Sequence, residues 1–336
     1  LSTASNEVNI SSNMAYFGSM APGEASLNES DPFIIQFGNN IPGGNVELNL
    51  SLISNVEVNI EYTAEITFSV YVEDGAGIIQ LPLLHQSGWN LVGLPLEVEN
   101  SHYLNLFPDA IEGTLFSFGA SYESETTLAH GEGYWLRFNN AGSTTIDGTP
   151  INELTISLNE DWNLVSGLSE DISIYSVSDL DSIIIPGTLY GFNEGYVESD
   201  ILVPGNGYWV RAFEAGEITL TSGALAKTAP RDFSLKGKAN SLTVNGMDLY
   251  FGVEMSARER LSYGLPPKPP SGAFDVRFSG DTRIMMDKAE IEVMSPYETI
   301  TINYDVVLDA GEHMNWVLSS ESGKEYTLEG AGEITI

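Results

Sequence analysis

Two tetrapeptides place a guanidinium two residues from an indole: Tyr134-Trp135-Leu136-Arg137 and Tyr208-Trp209-Val210-Arg211. Side chains alternate between the faces of a strand, so Trp135 shares a face with Arg137, and Trp209 with Arg211. A flat ring beside a guanidinium is the chemistry of a ligand platform, the ring stacking on a sugar while the cation holds an oxygen. Tyr122 and Tyr196, in the return arms of two expected hairpins, would extend it. Tyr122, Tyr196, Trp135, Arg137, Trp209 and Arg211 are therefore the candidate ligand-binding residues, with polysaccharide the ligand they suit. The competing reading is structural. Duplicated strand aromatics, each burying about 200 Å², form cores, and a duplicated Arg in a cation-poor region acts as an internal clamp on an indole or a carboxylate.

Carboxylates supply a second set. Asp179-Leu180-Asp181 and Glu198-Ser199-Asp200 bring oxygen ligands close together, as calcium requires, which makes Asp179, Asp181, Glu198 and Asp200 the candidate metal ligands. No Asp-x-Asp-x-Asp-Gly loop accompanies them. Signatures of catalysis are missing: the four histidines have no metal-ligand spacing, and there is no Gly-x-Ser-x-Gly, His-Glu-x-x-His or phosphate-binding loop. Cysteine is absent, which removes thiol chemistry, disulfides and Cys-ligated metals. The expectation is a non-enzyme that requires no cofactor, with calcium the cation its acids suit.

These residues belong to a duplicated unit. Gly88-Trp89-Asn90-Leu91-Val92 returns as Asp161-Trp162-Asn163-Leu164-Val165, and Gly113-Thr114-Leu115-Phe116-Ser117-Phe118 as Gly187-Thr188-Leu189-Tyr190-Gly191-Phe192. The Gly-x-Gly-Tyr-Trp segments repeat at the same interval. A period of roughly 73 residues marks a repeated supersecondary unit. Each copy reads as a strand, a short helical turn N-capped by Ser101 or Ser178, a hairpin and a closing strand. Upstream, Val46–Leu52, Val56–Tyr62 and Ile66–Val72 alternate with period two. Downstream, Leu249–Val253 reads as a strand and Phe274–Phe278, Glu290–Met294 and Thr299–Tyr304 as alternating ones, around the extended Pro266-Pro267-Lys268-Pro269-Pro270.

The fold expected is all-β: tandem antiparallel β-sandwich (Ig-like) modules flanking the duplicated unit. The boundaries are 1–78 for a first sandwich, 79–153 and 154–226 for two repeats forming one pseudosymmetric domain, and 227–336 for a last sandwich. Charge supports the final boundary. Residues 1–226 carry 30 carboxylates and two cations, Arg137 and Arg211, while every other Lys and Arg lies from Lys227 onward. A net charge of −34 repels phosphate backbones and argues against nucleic-acid binding. No apolar run approaches the roughly 18 residues of a membrane span.

The Gly-Trp-Asn-Leu-Val-Gly-Leu-Pro opening, with its Gly-x-Gly-Tyr-Trp-x-Arg close, resembles repeats in large secreted proteins of Bacteroidetes-related bacteria. Phe274-Asp275-Val276-Arg277-Phe278 after a Pro-rich loop is similar to the β-sandwich that precedes the sorting domain of type IX secretion substrates. Phe17-Gly18, Ala21-Pro22-Gly23 and Asp31-Pro32-Phe33 resemble Ig-like modules that follow secreted peptidase domains. The resemblance implies export to the outer cell surface or the extracellular medium and an accessory role with no catalytic residue to carry over. Leu1 in place of Met and the lack of a sorting domain after Ile336 fit a processed piece of a longer precursor. The function expected is structural or adhesive: spacing, display or self-assembly, a filament subunit being one form, with other copies or cell-surface proteins as partners. The alternative is a carbohydrate-binding accessory of a secreted hydrolase or peptidase.

Overall fold

The computed structural model describes residues 1–3, 8–15, 17, 33–37, 44–57, 60–72, 77–226, 231–307 and 316–336. With 52% strand and 4% helix in many small antiparallel sheets, the chain is mostly β. It divides into two compact units, Leu1–Ile79 and Gln80–Ile336. No helix among the described residues is long and apolar enough to cross a membrane.

In the first unit β1 (Val8–Ser12) pairs with β2 (Ile34–Phe37), and β3 (Gly44–Glu57) pairs with β4 (Ile60–Val72) as a long hairpin. Val8, Val46 and Leu48 are buried, with Leu1, Ile10, Ile35 and Val70 against them. The strand expected over Val56–Tyr62 is instead the hairpin end: β3 stops at Glu57 and β4 starts at Ile60. Apolar alternation runs unbroken through Val56, Val58 and Ile60, so periodicity alone hides the reversal. The segment around Ala21-Pro22-Gly23 and the turns expected at 40–43 and 74–76 lie outside the described residues.

The second unit opens with the first repeat: β5 (Ile79–His85), β6 (Gly88–Gly93), β7 (Leu96–Glu97), α1 (Tyr103–Leu106), β8 (Phe116–Phe118), β9 (Tyr122–Ser124), β10 (Gly133–Phe138) and β11 (Gly142–Pro150). The second follows as β12 (Glu153–Leu158), β13 (Asp161–Ser166), β14 (Ile172–Ser173), β15 (Tyr190–Phe192), β16 (Tyr196–Glu198), β17 (Ile201–Leu202), β18 (Gly207–Ala212) and β19 (Gly216–Thr221). Each copy builds a four-stranded sheet in the same order, β6-β10-β8-β9 and β13-β18-β15-β16. The recurring Asn explains itself. Asn90 Oδ1 accepts from Gln86 N–H and its amide donates to the Gln86 and Gly88 carbonyls, and Asn163 does the same with Asn159 and Asp161. Gly88 and Asp161 both hold positive φ, +86° and +75°, in the turn that Asn locks.

The two copies meet through contacts that come in matched pairs. Gly93 N–H donates to the Gly205 carbonyl at 2.9 Å, and Ser166 N–H to the Gly131 carbonyl at 3.0 Å. Val92 bridges to Asn206, and Val165 to Glu132. Trp135 packs edge-to-face on Phe192 at 4.7 Å, and Trp209 on Phe118 at 4.8 Å. Every pair exchanges equivalent residues, as a two-fold relation demands. Close approach depends on glycine: a Cβ on Gly133 would sit 2.6 Å from the Val165 carbonyl oxygen, and one on Gly207 2.8 Å from that of Val92.

The helical turn expected in both copies forms in one. His102, rather than Ser101, caps α1, its ring nitrogen accepting from Leu104 N–H. In the second copy Ser178 bridges to Thr219 and the Asp179 carboxylate takes the Ile183 and Ile184 N–H groups. The β-branched run Ile183-Ile184-Ile185 resists a helix there.

The rest of the unit contributes β20 (Asn240–Val244), β21 (Met247–Phe251), α2 (Ala257–Arg260), a 3₁₀ turn (Leu261–Tyr263), β22 (Asp275–Phe278), β23 (Ile284–Met285), β24 (Ile291–Met294), β25 (Thr301–Asp305), β26 (Trp316–Ser319), β27 (Glu325–Leu328) and β28 (Ala331–Thr335). A five-stranded sheet β23-β21-β20-β25-β28 and the pairs β22-β24 and β26-β27 enclose Leu242, Leu249, Phe251, Phe274, Val276 and Phe278. The composition break near residue 226 is not a break in packing, because this region and both repeats fall in one compact unit. The linker expected over 227–230 lies outside the described residues.

Gly205 has φ +78°, and a Cβ there would collide with the buried Leu83 side chain. Exposed Gly223 has φ +67° and open space around it. We expect Gly205→Ala to destabilise the unit by about 2–4 kcal/mol, and Gly223→Ala by about 1 kcal/mol, in denaturant titrations. Equal effects would show that the packing between copies is looser than described.

Candidate functional site

The tetrapeptides face inward. Trp135 and Trp209 are fully buried and Tyr196 nearly so, in one cluster with Leu91, Leu164, Tyr190 and Leu265. As ligand-binding residues these three are corrected, since their rings offer no free face for a sugar. Among the described residues the buried Trp135 and Trp209 indole N–H groups find no hydrogen-bond acceptor at bonding distance, so packing is what chiefly holds these rings. Tyr134 and Tyr208, pointing the other way along the strand, accept from the Ala129 and Val203 N–H groups at 3.0 and 3.1 Å.

Each Arg lies over the indole of the residue paired with it across the sheet. Arg137 is 5.7 Å from the Trp89 ring centre and Arg211 5.6 Å from that of Trp162. Arg211 also gives its Nε–H to Asp161 at 2.5 Å. The clamp expected from sequence is thus built with Trp89 and Trp162, not with the tryptophan two residues away.

What covers the aromatic cluster is the chain's own Pro-rich segment. A polyproline stretch makes no internal hydrogen bonds, and its carbonyls need outside donors. Arg277 Nη1 donates to the Pro266 carbonyl at 2.8 Å, Tyr196 Oη to Pro267 at 2.6 Å and Tyr122 Oη to Lys268 at 2.8 Å. Trp89 Nε1 donates to Ser271 at 3.1 Å. Tyr122 and Tyr196 come from equivalent positions in the two copies, so the segment crosses the junction between them. Tyr122, expected as a ligand-binding residue, is half-buried and its hydroxyl is committed to this contact. Aromatic grooves that present hydroxyl and indole donors to an extended Pro-rich strand are a recurring recognition mode. Here the strand is intramolecular. Sequence reasoning missed this role for the Pro-rich run, although five residues with a single N–H among four prolines signal a need for donors.

Beneath the segment lies a charge network. Arg277, fully buried, binds Asp275 through two bonds at 2.6 and 2.8 Å and reaches Asp281 at 2.8 Å. Burial alone would lower its pKa; the bonds to Asp275 outweigh that and hold it above the ordinary value. Arg283 pairs with Glu198 and sits among the rings of Tyr190, Tyr250 and Tyr263 at 5.2–6.0 Å. Glu198 is thereby engaged by a cation, which corrects it as a calcium ligand. Asp200 accepts from Tyr175 Oη at 3.0 Å, Asp179 caps two backbone N–H groups, and Asp181 is exposed. Among the described residues no three His, Asp or Glu side chains gather as a metal site requires. The four carboxylates face protein donors or solvent rather than one another.

No protein family matches the chain, and neither does any curated protein or solved structure.

Loss of the Tyr196 hydroxyl leaves a carbonyl in the interface without its donor. Tyr196→Phe should cost about 1–3 kcal/mol in chemical denaturation, and Tyr122→Phe less because Lys268 is nearer solvent. Burial pushes the Tyr122 phenol up to about 12 from its ordinary value of 10 and raises those of Tyr190 and Tyr196 in the same direction. Above pH 10 the unfolded chain therefore loses phenolic protons that the folded chain keeps. Stability should be full below about pH 10 and fall between pH 10 and 12. Phenolate absorbance should rise together with loss of the folded signal. Phenolate appearing near pH 10 with the fold intact would contradict burial of these rings.

Proposed function

We propose that this chain is a non-catalytic structural or adhesive part of an extracellular or cell-surface protein of a bacterium, built from Ig-like sandwich modules around the duplicated unit. The observation that carries this reading is the direction of its chemistry-bearing side chains. Trp135, Trp209, Tyr122 and Tyr196 are spent on packing and on holding the Pro-rich segment, Arg277 on the buried Asp275, and Arg283 on Glu198 and three tyrosine rings. Such an interior makes a rigid spacer rather than a reaction centre. Its cysteine-free stability and high charge suit a displayed, soluble surface.

Its partners are other copies of itself. Leu52, Ile53, Ile66 and Phe68 are exposed along β3 and β4, whose ladder, apart from the Ser2 bridge to Asn49, has no further strand partner among the described residues. Exposed apolar side chains on an open-edged hairpin favour strand addition between chains. Contact between copies works against a charge of −34 each, so screening should promote it. Sedimentation velocity over a concentration series should show reversible association that strengthens with added NaCl, and Ile53→Lys with Phe68→Lys should weaken it. A chain that stays monomeric at high concentration, with or without salt and calcium, overturns the self-assembly reading.

A further inference from the structure

We infer that the cleft at the Trp162 end of the aromatic row binds a carboxylate-bearing saccharide. The two ends of the row are equivalent by repeat yet differ in one contact. At one end the Trp89 indole N–H is taken by the Ser271 carbonyl at 3.1 Å. At the other, the half-buried Trp162 has no acceptor for its N–H among the described residues and lines a cleft of about 480 Å³. That volume falls in the range of small-molecule sites, roughly 300–1,000 Å³.

Leu261, Leu265 and Ile284 give the cleft an apolar wall, and two guanidiniums reach it. Arg211 lies over the Trp162 ring, fixed there by Asp161. Arg260, exposed at the end of α2, has no carboxylate partner among the described residues. The acids on the wall are already engaged, Asp161 by Arg211 and Asp281 by Arg277. The cleft therefore presents the Trp162 N–H and two guanidiniums, and each of its two acids, though part exposed, has one oxygen bound by an arginine. Its complement is a rigid ring bearing a carboxylate, the chemistry of a uronic acid. This local chemistry runs against a net charge of −34, so attraction by the whole protein does not account for it.

The test is calorimetric titration of the full chain with an oligogalacturonate, its methyl ester, acetate and a poly-glutamate peptide. The oligogalacturonate should bind, and the methyl ester at least about tenfold more weakly, as loss of a charge-assisted contact requires. Arg260→Gln and Trp162→Phe, each with an unchanged melting temperature, should weaken binding by about tenfold and a few-fold, respectively. Arg137→Gln, at the equivalent end, should leave it unchanged. The proposal is overturned if the oligogalacturonate does not bind, if the ester binds equally well, or if Arg137→Gln weakens binding as much as Arg260→Gln. Acetate or poly-glutamate binding as tightly would also overturn it, by removing any role for the sugar ring. The proposal is independent of self-association, since binding is measured on whichever oligomer is present.

Discussion

The seating of Pro266–Ser271 on the aromatic row is the constraint from which the rest of the second unit follows. Four carbonyls of one extended segment are satisfied by Arg277, Tyr196, Tyr122 and Trp89. Three of these donors come from the duplicated unit and one from the strand that follows the segment. Remove the segment, and the tyrosine hydroxyls lose their acceptors while a broad aromatic surface meets water. Remove the duplicated unit, and a stretch that cannot bond to itself loses its donors. Neither part is a finished surface alone, which is why a change in composition near residue 226 does not mark a structural boundary.

The buried charges follow from the same arrangement. Arg277 supplies one donor to the segment and must be held where solvent cannot reach it. Asp275, on the same face of β22, neutralises it through a two-bond contact, and Asp281 takes a further donor. A buried pair of this kind adds little net stability over an apolar filling, yet removing one partner typically costs about 3–5 kcal/mol. Its contribution is placement: the guanidinium fork fixes where the Pro266 carbonyl lies, and the segment's register on Tyr196 and Tyr122 follows. Arg283 fills a space among three tyrosine rings that a neutral side chain would leave without electrostatic preference.

Much of this was legible in the sequence, and the limits have physical causes. The all-β class followed from period-two alternation, and the inward use of Trp135 and Trp209 from their duplication. The Arg clamp was legible in kind but not in partner, because cross-strand pairing of Arg137 with Trp89 depends on register, which spacing within one strand does not encode. The second helical turn failed because the β-branched run Ile183-Ile184-Ile185 resists a helix, and the Asp179 carboxylate takes the Ile183 and Ile184 N–H groups in a non-helical arrangement. Tyr122 and Tyr196 were legible as special residues, but nothing local connects them to a segment 146 and 71 residues away. Long-range pairing of that kind is set by the tertiary fold. The carboxylate pairs misled for the opposite reason: adjacency in sequence put them close, but Asp179 is taken by backbone N–H groups, Glu198 by Arg283 and Asp200 by Tyr175.

The distribution of cations carries the argument from fold to surface. In the duplicated unit Arg137 and Arg211 are fixed over indoles, and further on Arg277 and Arg283 are buried against acids. Carboxylates outnumber cations 47 to 13, so the outer surface is dominated by negative charge even though several Lys and Arg side chains of the last third are exposed. Such a surface repels its own kind at long range and tolerates contact only where apolar side chains or screening ions intervene. The exposed apolar residues of β3 and β4 stand out against that background, and Arg260 is set apart by its place at the Trp162 cleft. They lie on separate compact units of the chain.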